Sequence, residues 1–194
     1  MTTVYFIRHA QSARGDFDDR VRPLTEEGLC DTKQVTAALR DKNITHILSS
    51  PYKRTLQTVA DLAQTLWLSP ETDEDFRERS AGSWRGDNFL AFIEQQWADF
   101  SYHIMDGECL ADVQKRNIAA LNRALKKYSG EVIAIATHGT ALGTIINYFK
   151  PEFNFHSFMR IIDFMPYVVR MEFDGERFVS YEEIMHIHKP YDKN

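Results

Sequence analysis

Residues 3–12 read TVYFIRHAQS, and they are the most informative segment for the fold of the chain. Its first five residues, Thr3 to Ile7, are short, apolar and β-rich, and they predict a buried strand. The strand runs directly into Arg8 and His9, and a polar loop rich in aspartate and arginine follows from Gln11 to Arg22. The stretch therefore predicts a strand that carries a cationic pair at its carboxyl end.

Two further apolar strands are predicted, and each also ends in polar residues. Residues 44–50 form the second strand, which ends in Ser49 and Ser50, and residues 131–136 (EVIAIA) form the third, which leads into His138 and Gly139. In a sheet of parallel strands, sites lie beyond the carboxyl ends. The three polar clusters are therefore expected at one edge of one sheet.

The segments between these strands have the apolar spacing of helices. Helices are predicted over residues 23–40, 51–66, 88–97 and 110–128 and after His138, with Pro51 in the first turn of its helix. Residues 69–77 are predicted as a connection, and residues 167–173 and 177–184 as a closing hairpin around Asp174-Gly175. This alternation predicts an α/β fold, built as a three-layer α/β/α arrangement with a mainly parallel sheet.

The 194 residues suit a single domain over residues 1–194, with no repeat or linker. The aromatic-rich segment 87–109 has two interpretations that stay open: a helix packed on the core, or a lid over the pocket. The net charge of −5 argues against a nucleic-acid partner. No apolar run reaches the roughly 18 residues of a membrane span, and no signal peptide is recognisable, so a cytoplasmic protein is expected.

The two cysteines form no CxxC pair, so neither a disulfide framework nor a zinc site is predicted. The sequence matches neither of two motifs that belong to known phosphatase classes. A cysteine phosphatase needs arginine six residues after its cysteine, where Cys109 has Lys115 and Cys30 has Thr36. The DFDDR run at residues 16–20 lacks the preceding apolar strand of an aspartyl-phosphate motif. The sequence indicates neither a metal nor a cofactor.

Transfer of a phosphoryl group through a side chain needs an in-line nucleophile, fixed positive charge around the phosphoryl oxygens and an acid for the leaving group. An imidazole can be that nucleophile, and His9 stands beside Arg8 at a strand end. Arg54 falls in the first turn of the helix after the second strand, and His138 adds a further cation if it is protonated. Glu78, between these elements in sequence, is a candidate proton donor.

Five segments in this order resemble the histidine phosphatase superfamily, also called phosphoglycerate mutase-like. The resemblance runs from about Val4 to about Thr144. The matching segments are RHAQS at 8–12, SSPYKRTLQT at 49–58, ERSAGSWRG at 78–86, Gly107-Glu108 with residues 112–116, and Thr137-His138-Gly139. Cys109 stands where that family has serine, Ala81 where an aromatic residue is common, and Arg85 where glutamate is common. The last two departures lie on the substrate side and bear on specificity.

The resemblance implies a phosphoglycerate mutase-like fold and a role for each matching residue. His9 would be the phosphorylated nucleophile, and Glu78 would protonate the leaving group and then activate water. The expected phosphate ligands are Arg8, Arg54, His138, Ser12 and the Gly139 N–H. The arginines expected to contact a second anionic group of a small phosphorylated substrate are Arg14, Arg22 and Arg85, with solvated surface arginines as the alternative.

The superfamily contains both phosphatases and mutases. The mutases carry a longer insertion after the acid, with paired arginines and a proline-rich loop. This chain has no proline between Pro70 and Pro151 and no adjacent pair of arginines. A metal-independent phosphomonoester hydrolase is therefore expected, with a cofactor-dependent phosphoglycerate mutase and a phospho-ligand binding protein of little activity as alternatives.

Overall fold

A computed structural model describes residues 1–13, 15, 18–82 and 88–190. In this part of the chain the strands are β1 Thr2–Arg8, β2 His46–Ser49, β3 Glu71–Thr72, β4 Val132–Thr137, β5 Phe164–Asp174 and β6 Arg177–His188. The α-helices are α1 Glu26–Leu39, α2 Lys53–Leu66, α3 Phe89–Ala98, α4 Leu110–Lys127, α5 Gly139–Phe149 and α6 Phe155–Ile161. A 3₁₀ turn spans Glu74–Phe76.

The six strands form one sheet in the order β3-β2-β4-β1-β5-β6. The first four of these pair in parallel, whereas β5 is antiparallel to β1 and β6 is antiparallel to β5. The predicted α/β fold with a mainly parallel sheet is therefore confirmed. Because Arg8 pairs with Tyr167, the beginning of β5 lies beside the end of β1.

Alternate side chains of β1 enter two separate hydrophobic cores, as the two-residue period of a strand requires. Val4 and Phe6 pack in the larger core, which α3, α4, α5 and α6 cover. Tyr5 and Ile7 pack in the smaller core on the opposite face, which α1 and α2 cover. Helices on both faces of one sheet give the predicted three layers.

Helix α1 begins at Glu26, three residues after the predicted start, because Thr25 caps it and accepts the backbone N–H of Gly28. The prediction for Pro51 is wrong, because α2 begins at Lys53 with Tyr52 as its N-cap. The Oγ of Ser50 accepts the N–H of Tyr52 at 3.3 Å and holds a turn in front of the helix. Pro51 belongs to that turn and not to the helix.

Three elements are absent from the sequence prediction, and two others are longer than predicted. The connection over residues 69–77 contains β3, whose two residues pair with the end of β2, and the 3₁₀ turn. Helix α6 has only seven residues and begins at Asn154, which accepts the N–H groups of His156 and Ser157. The hairpin around Gly175 is confirmed, although both of its strands extend beyond the predicted bounds.

Segment 87–109 contributes α3, whose Phe92, Ile93 and Trp97 are buried in the larger core. Its role as a lid stays a prediction, and Asp87 lies outside the described residues. Among the helices described, none combines the length and the apolar character needed to cross a membrane.

Candidate active site

A cleft of about 440 Å³ opens at the carboxyl ends of the central strands. Its size is in the usual range of small-molecule sites. Seven of the predicted site residues line it: Arg8, His9, Ser12, Arg22, Arg54, Glu78 and Gly139. The ring of His138 lies behind that of His9, with 5.4 Å between ring centroids. Arg14 and Arg85 lie outside the described residues.

His9 is 6% exposed, and its ring is fixed by its own neighbour in the chain. The Nδ1 atom lies 2.7 Å from the carbonyl oxygen of Ala10, which can only accept, so Nδ1 carries the proton. Burial lowers the pKa of His9 well below its usual value, and the charges of Arg54, Arg8 and Arg22 lower it further. A neutral ring protonated on Nδ1 keeps a free lone pair on Nε2, as a nucleophile requires.

Arg8 is the last residue of β1, and its side chain is held against the end of α6. Its Nη1 donates to the carbonyl of Ile161, at the end of α6, over 2.8 Å. A Cβ atom on Gly139 would lie 3.0 Å from Cζ of Arg8 and 3.1 Å from its Nε. The guanidinium therefore packs directly on the backbone at the start of α5, where a Cβ would require it to move by a few tenths of an ångström.

Arg54 is fully buried and already has a carboxylate partner. Its Nη1 and Nη2 donate to the carbonyl oxygen and Oδ2 of Asp19 over 2.6 and 3.1 Å. Arg22 reaches the other carboxylate oxygen of Asp19 at 2.8 Å. The Nε of Arg54 is buried and has no hydrogen-bond partner in the described part of the chain. Asp19 thus holds both arginines at the mouth of the cleft.

His138 is fully buried, and its Nε2 lies 2.8 Å from Oγ of Ser50. Burial lowers its pKa well below the usual value, and the charges of Arg54, His9, Arg116 and Arg22 add to the effect. This arrangement of charges favours the neutral imidazole and not the cation considered from the sequence. An anion close to the arginines would raise the pKa, because it offsets their charge.

Glu78 caps the helix that follows His138. Its Oε1 accepts the backbone N–H groups of Arg79 and Ala141 at 2.8 and 3.1 Å, and its Oε2 accepts that of Thr140 at 3.1 Å. The first N–H groups of a helix have no partner within the helix, so they are natural donors to a carboxylate. The carboxyl group of Glu78 is thereby fixed on the wall of the cleft.

The backbone that carries Glu78 is held in place by a partly buried charge network of Arg116 and Glu108. Arg116, in α4, donates to the carbonyls of Asp75, Arg77 and Glu78 over 2.8, 2.7 and 3.1 Å. It also makes a two-pronged contact with Glu108, at 2.9 and 3.0 Å. Both residues fall in a segment that sequence analysis identified only as a family motif, without a role.

The wall on the β5 side of the cleft is apolar. Phe158, Ile162 and Met165 line it and are 3%, 2% and 6% exposed. Phe158 comes from α6, Ile162 from the connection that follows it, and Met165 from the beginning of β5, which lies beside the end of β1. Sequence analysis missed this wall because α6 is too short to produce a helical periodicity.

Three other residues of the cleft were missed for separate reasons. Asp19 belongs to a run considered only as an aspartyl-phosphate motif. Tyr52, whose ring lies 5.0 Å from that of His138, occupies a variable position of the second motif. Thr140 contributes through its backbone N–H, a contact that the type of residue does not indicate.

Comparison with known proteins fits this arrangement. A sequence model of the histidine phosphatase superfamily (branch 1) matches residues 4–182. The chain belongs to the histidine phosphatase superfamily. A Yersinia pestis relative named "probable phosphoglycerate mutase GpmB" is 31% identical over 159 residues, which cover 76% of this chain and 74% of the relative.

Solved structures from the superfamily share the fold. YhfR of Bacillus stearothermophilus has a TM-score of 0.76 and 25% identity, covering 92% of this chain and 95% of its own. A phosphoserine phosphatase mutant from Entamoeba histolytica, solved with phosphoserine, has a TM-score of 0.75 and 20% identity, with 93% and 96% covered. Phosphoglycerate mutase from Bacillus anthracis has a TM-score of 0.71 and 15% identity, with 97% and 93% covered. The last two likenesses show the fold alone.

Proposed function

We propose that this protein is a phosphatase that hydrolyses a phosphomonoester through a phosphohistidine formed on His9. One observation carries the proposal: the carbonyl of Ala10 holds the proton of His9 on Nδ1, 2.7 Å away, inside a cluster of arginines. A nucleophilic imidazole must be neutral and must have the correct nitrogen free. The depressed pKa of His9 meets the first need, and the hydrogen bond meets the second.

In the first step, the lone pair of His9 Nε2 attacks phosphorus and the P–O bond of the ester breaks. The departing alkoxide takes a proton from the carboxyl group of Glu78, which lies on the same cleft. Arg8 and Arg54 bind the phosphoryl oxygens, over which the charge of the transition state is spread. Ser12 and the N–H of Gly139 add donors.

In the second step, Glu78 accepts a proton from water as the water oxygen attacks phosphorus. The P–N bond breaks, its electron pair returns to Nε2, and inorganic phosphate leaves. His138 donates a hydrogen bond to the phosphoryl group when an anion has raised its pKa. No step needs a metal ion, since the arginines supply the positive charge.

The names of similar proteins support a small phosphorylated substrate. One neighbour was solved with phosphoserine and another with inorganic phosphate. The name of the Yersinia relative favours a second function, phosphoglycerate mutase, in which the phosphoryl group passes to another hydroxyl and not to water. A binding protein with the same pocket would not release phosphate. Arg14 and Arg85 stay candidates for contacts with a second anionic group.

The test is a labelling experiment on the full chain. Protein mixed with ³²P-labelled phenyl phosphate and quenched within one turnover should carry acid-labile phosphate on histidine, and His9→Ala should carry none. His46→Ala, a histidine outside the cleft, is the matched control and should label fully. Full turnover by His9→Ala would overturn the proposal.

Two further measurements separate the alternatives. Glu78→Gln should slow hexyl phosphate much more than 4-nitrophenyl phosphate, whose leaving group needs little protonation. With 3-phosphoglycerate and a bisphosphoglycerate primer, a phosphatase releases phosphate, whereas a mutase forms 2-phosphoglycerate. Formation of 2-phosphoglycerate faster than phosphate release would establish the mutase instead.

A further inference from the structure

We propose that the substrate is a phosphate ester of an apolar, uncharged alcohol, whose organic group binds against Phe158, Ile162 and Met165. This inference rests on the proposed function and concerns the part of the substrate that leaves. It follows from the unequal distribution of charge along the cleft, which has a cationic side and an apolar side.

The sheet order fixes the two sides. Arg54 follows β2, and His138 and His9 follow β4 and β1, so the charged groups lie along three neighbouring strand ends. The next strand is β5, which runs in the opposite direction and begins beside the end of β1. Met165 lies at that beginning, one strand further along than His9. A phosphate held at the cationic side therefore directs its organic group towards the β5 side.

The apolar wall is fixed before any substrate binds. The ring of Phe158 stacks on that of Trp97, with centroids 5.1 Å apart and an angle of 28° between planes. Gly143 leaves room for this ring, since a Cβ there would lie 3.0 Å from Cδ2 of Phe158. Ile162 and Met165 are almost fully buried. A preformed apolar surface binds an apolar group without a cost for ordering its own side chains.

Three of the cations that line the described part of the cleft already have a partner within the protein. Arg54 and Arg22 share the carboxylate of Asp19. Arg79 lies over the ring of Phe92, 4.9 Å from its centroid. A substrate with a carboxylate next to its phosphate would place that second charge against the apolar wall, where burial without a partner is costly.

The central comparison is between hexyl and ethyl phosphate, whose alcohols have nearly equal acidity, so that only the size of the apolar group varies. The full chain is assayed for phosphate release from hexyl phosphate, ethyl phosphate, 3-phosphoglycerate and O-phosphoserine. We expect kcat/KM for hexyl phosphate to exceed that for ethyl phosphate by at least about tenfold, because each methylene placed in an apolar pocket adds binding. We also expect it to exceed the values for both acids.

A polar exchange of similar size tests the wall itself. Met165→Gln should lower kcat/KM for hexyl phosphate by a factor at least about fivefold larger than the factor by which it lowers that for ethyl phosphate. Met105→Gln is the matched control, since Met105 is 79% exposed and lies outside the cleft. If Met165→Gln fails to fold, Ile162→Thr replaces it with the same expected result.

The outcomes separate this inference from the proposed function. Phosphohistidine on His9 combined with a preference for 3-phosphoglycerate or phosphoserine would overturn the apolar class and keep the phosphatase. Equal rates for hexyl and ethyl phosphate would also overturn it. Turnover that survives in His9→Ala would overturn the phosphatase.

Discussion

Gly139 and Arg8 are in contact across the end of the sheet, with 3.0 Å between the position of a Cβ on Gly139 and Cζ of Arg8. The guanidinium has little freedom to withdraw, because its Nη1 donates to the carbonyl of Ile161 at 2.8 Å. The absence of a side chain at Gly139 therefore leaves space for the guanidinium of Arg8. The backbone angle does not itself require glycine, since φ is not positive there.

Gly139→Ala should consequently displace the guanidinium of Arg8. We expect kcat/KM to fall roughly tenfold to hundredfold, because small misplacements of a charged group at a reacting centre are costly. Steady-state phosphate release measures this. Gly130→Ala is the control: φ is +85° there and nothing lies within 4 Å, so this change should lower stability and leave activity per folded molecule intact. Unchanged activity in Gly139→Ala would contradict the prediction.

Arg116 should act on turnover through Glu78, whose carbonyl it holds at 3.1 Å. Arg116→Lys keeps the charge but loses the two-pronged contact. We expect kcat for hexyl phosphate to fall at least about tenfold, with a smaller fall for 4-nitrophenyl phosphate and little change in KM. The control is Arg123→Lys, an exposed arginine of the same helix. Equal losses on the two substrates would show that Arg116 does not act through the acid.

Asp19 should oppose phosphate binding, because its carboxylate forms ion pairs with Arg54, a proposed phosphate ligand, and with Arg22. Asp19→Asn keeps an oxygen acceptor for Arg54 and removes the negative charge. We expect inorganic phosphate to inhibit this variant at concentrations roughly threefold to tenfold lower, a modest change because Asp19 is half-exposed. Asp18→Asn is the neighbouring control. Weaker inhibition of Asp19→Asn would mean that the carboxylate mainly positions Arg54.

The buried histidines should make stability depend on pH. Burial first, and neighbouring positive charges second, hold the pKa of His9 and of His138 well below 6.5 in the folded chain. Below about pH 6.5 the unfolded chain binds protons that the folded chain does not. The free energy of unfolding should therefore fall as pH drops, by up to about 1.4 kcal/mol per pH unit for each histidine.

Urea unfolding between pH 7.5 and 5.5 measures this dependence. His9→Gln removes one of the two groups, so its stability should decline less than that of the parent chain. His156→Gln, a change at an exposed histidine, should decline as the parent does. Identical slopes in the parent and in His9→Gln would contradict the predicted coupling.

Activity should survive removal of divalent metal ions. In the proposed steps, Arg8 and Arg54 supply the positive charge for the phosphoryl oxygens, so chelation removes nothing that these steps use. We expect phosphate release to change by less than about twofold after dialysis against EDTA. Addition of magnesium to the dialysed protein is the control. Loss of activity that magnesium restores would identify a metal-dependent reaction.

Most of the framework could be predicted from the sequence. Polar residues that follow an apolar strand can be recognised from the order of residue types alone. Arg8 with His9, Arg54 and His138 each follow an apolar strand, and parallel strands bring such residues to one edge. The structure brings them together there, while their chemical roles stay predictions. Glu78 joins them through backbone donors of α5, a contact that no spacing in the sequence indicates.

The remaining features depend on tertiary packing. Asp19 meets Arg54 across 35 positions of the chain, a pairing that no spacing in the sequence indicates. The apolar wall depends on a seven-residue helix and on β5 lying beside β1, and neither produces a periodic pattern. Arg116 stands on the polar side of an amphipathic helix, where a solvated arginine is the ordinary expectation. Its carbonyl partners are visible only in three dimensions.

The hydrogen bond from Arg8 to the carbonyl of Ile161 spans 153 positions of the chain. One end belongs to the first strand and the other to the last helix before the closing hairpin. A chain in which α6 has not docked against β1 therefore lacks the contact that anchors the Arg8 guanidinium, even when its central strands have formed. If Arg8 binds phosphate as proposed, tight binding of a small anion should accordingly report that α6 has docked.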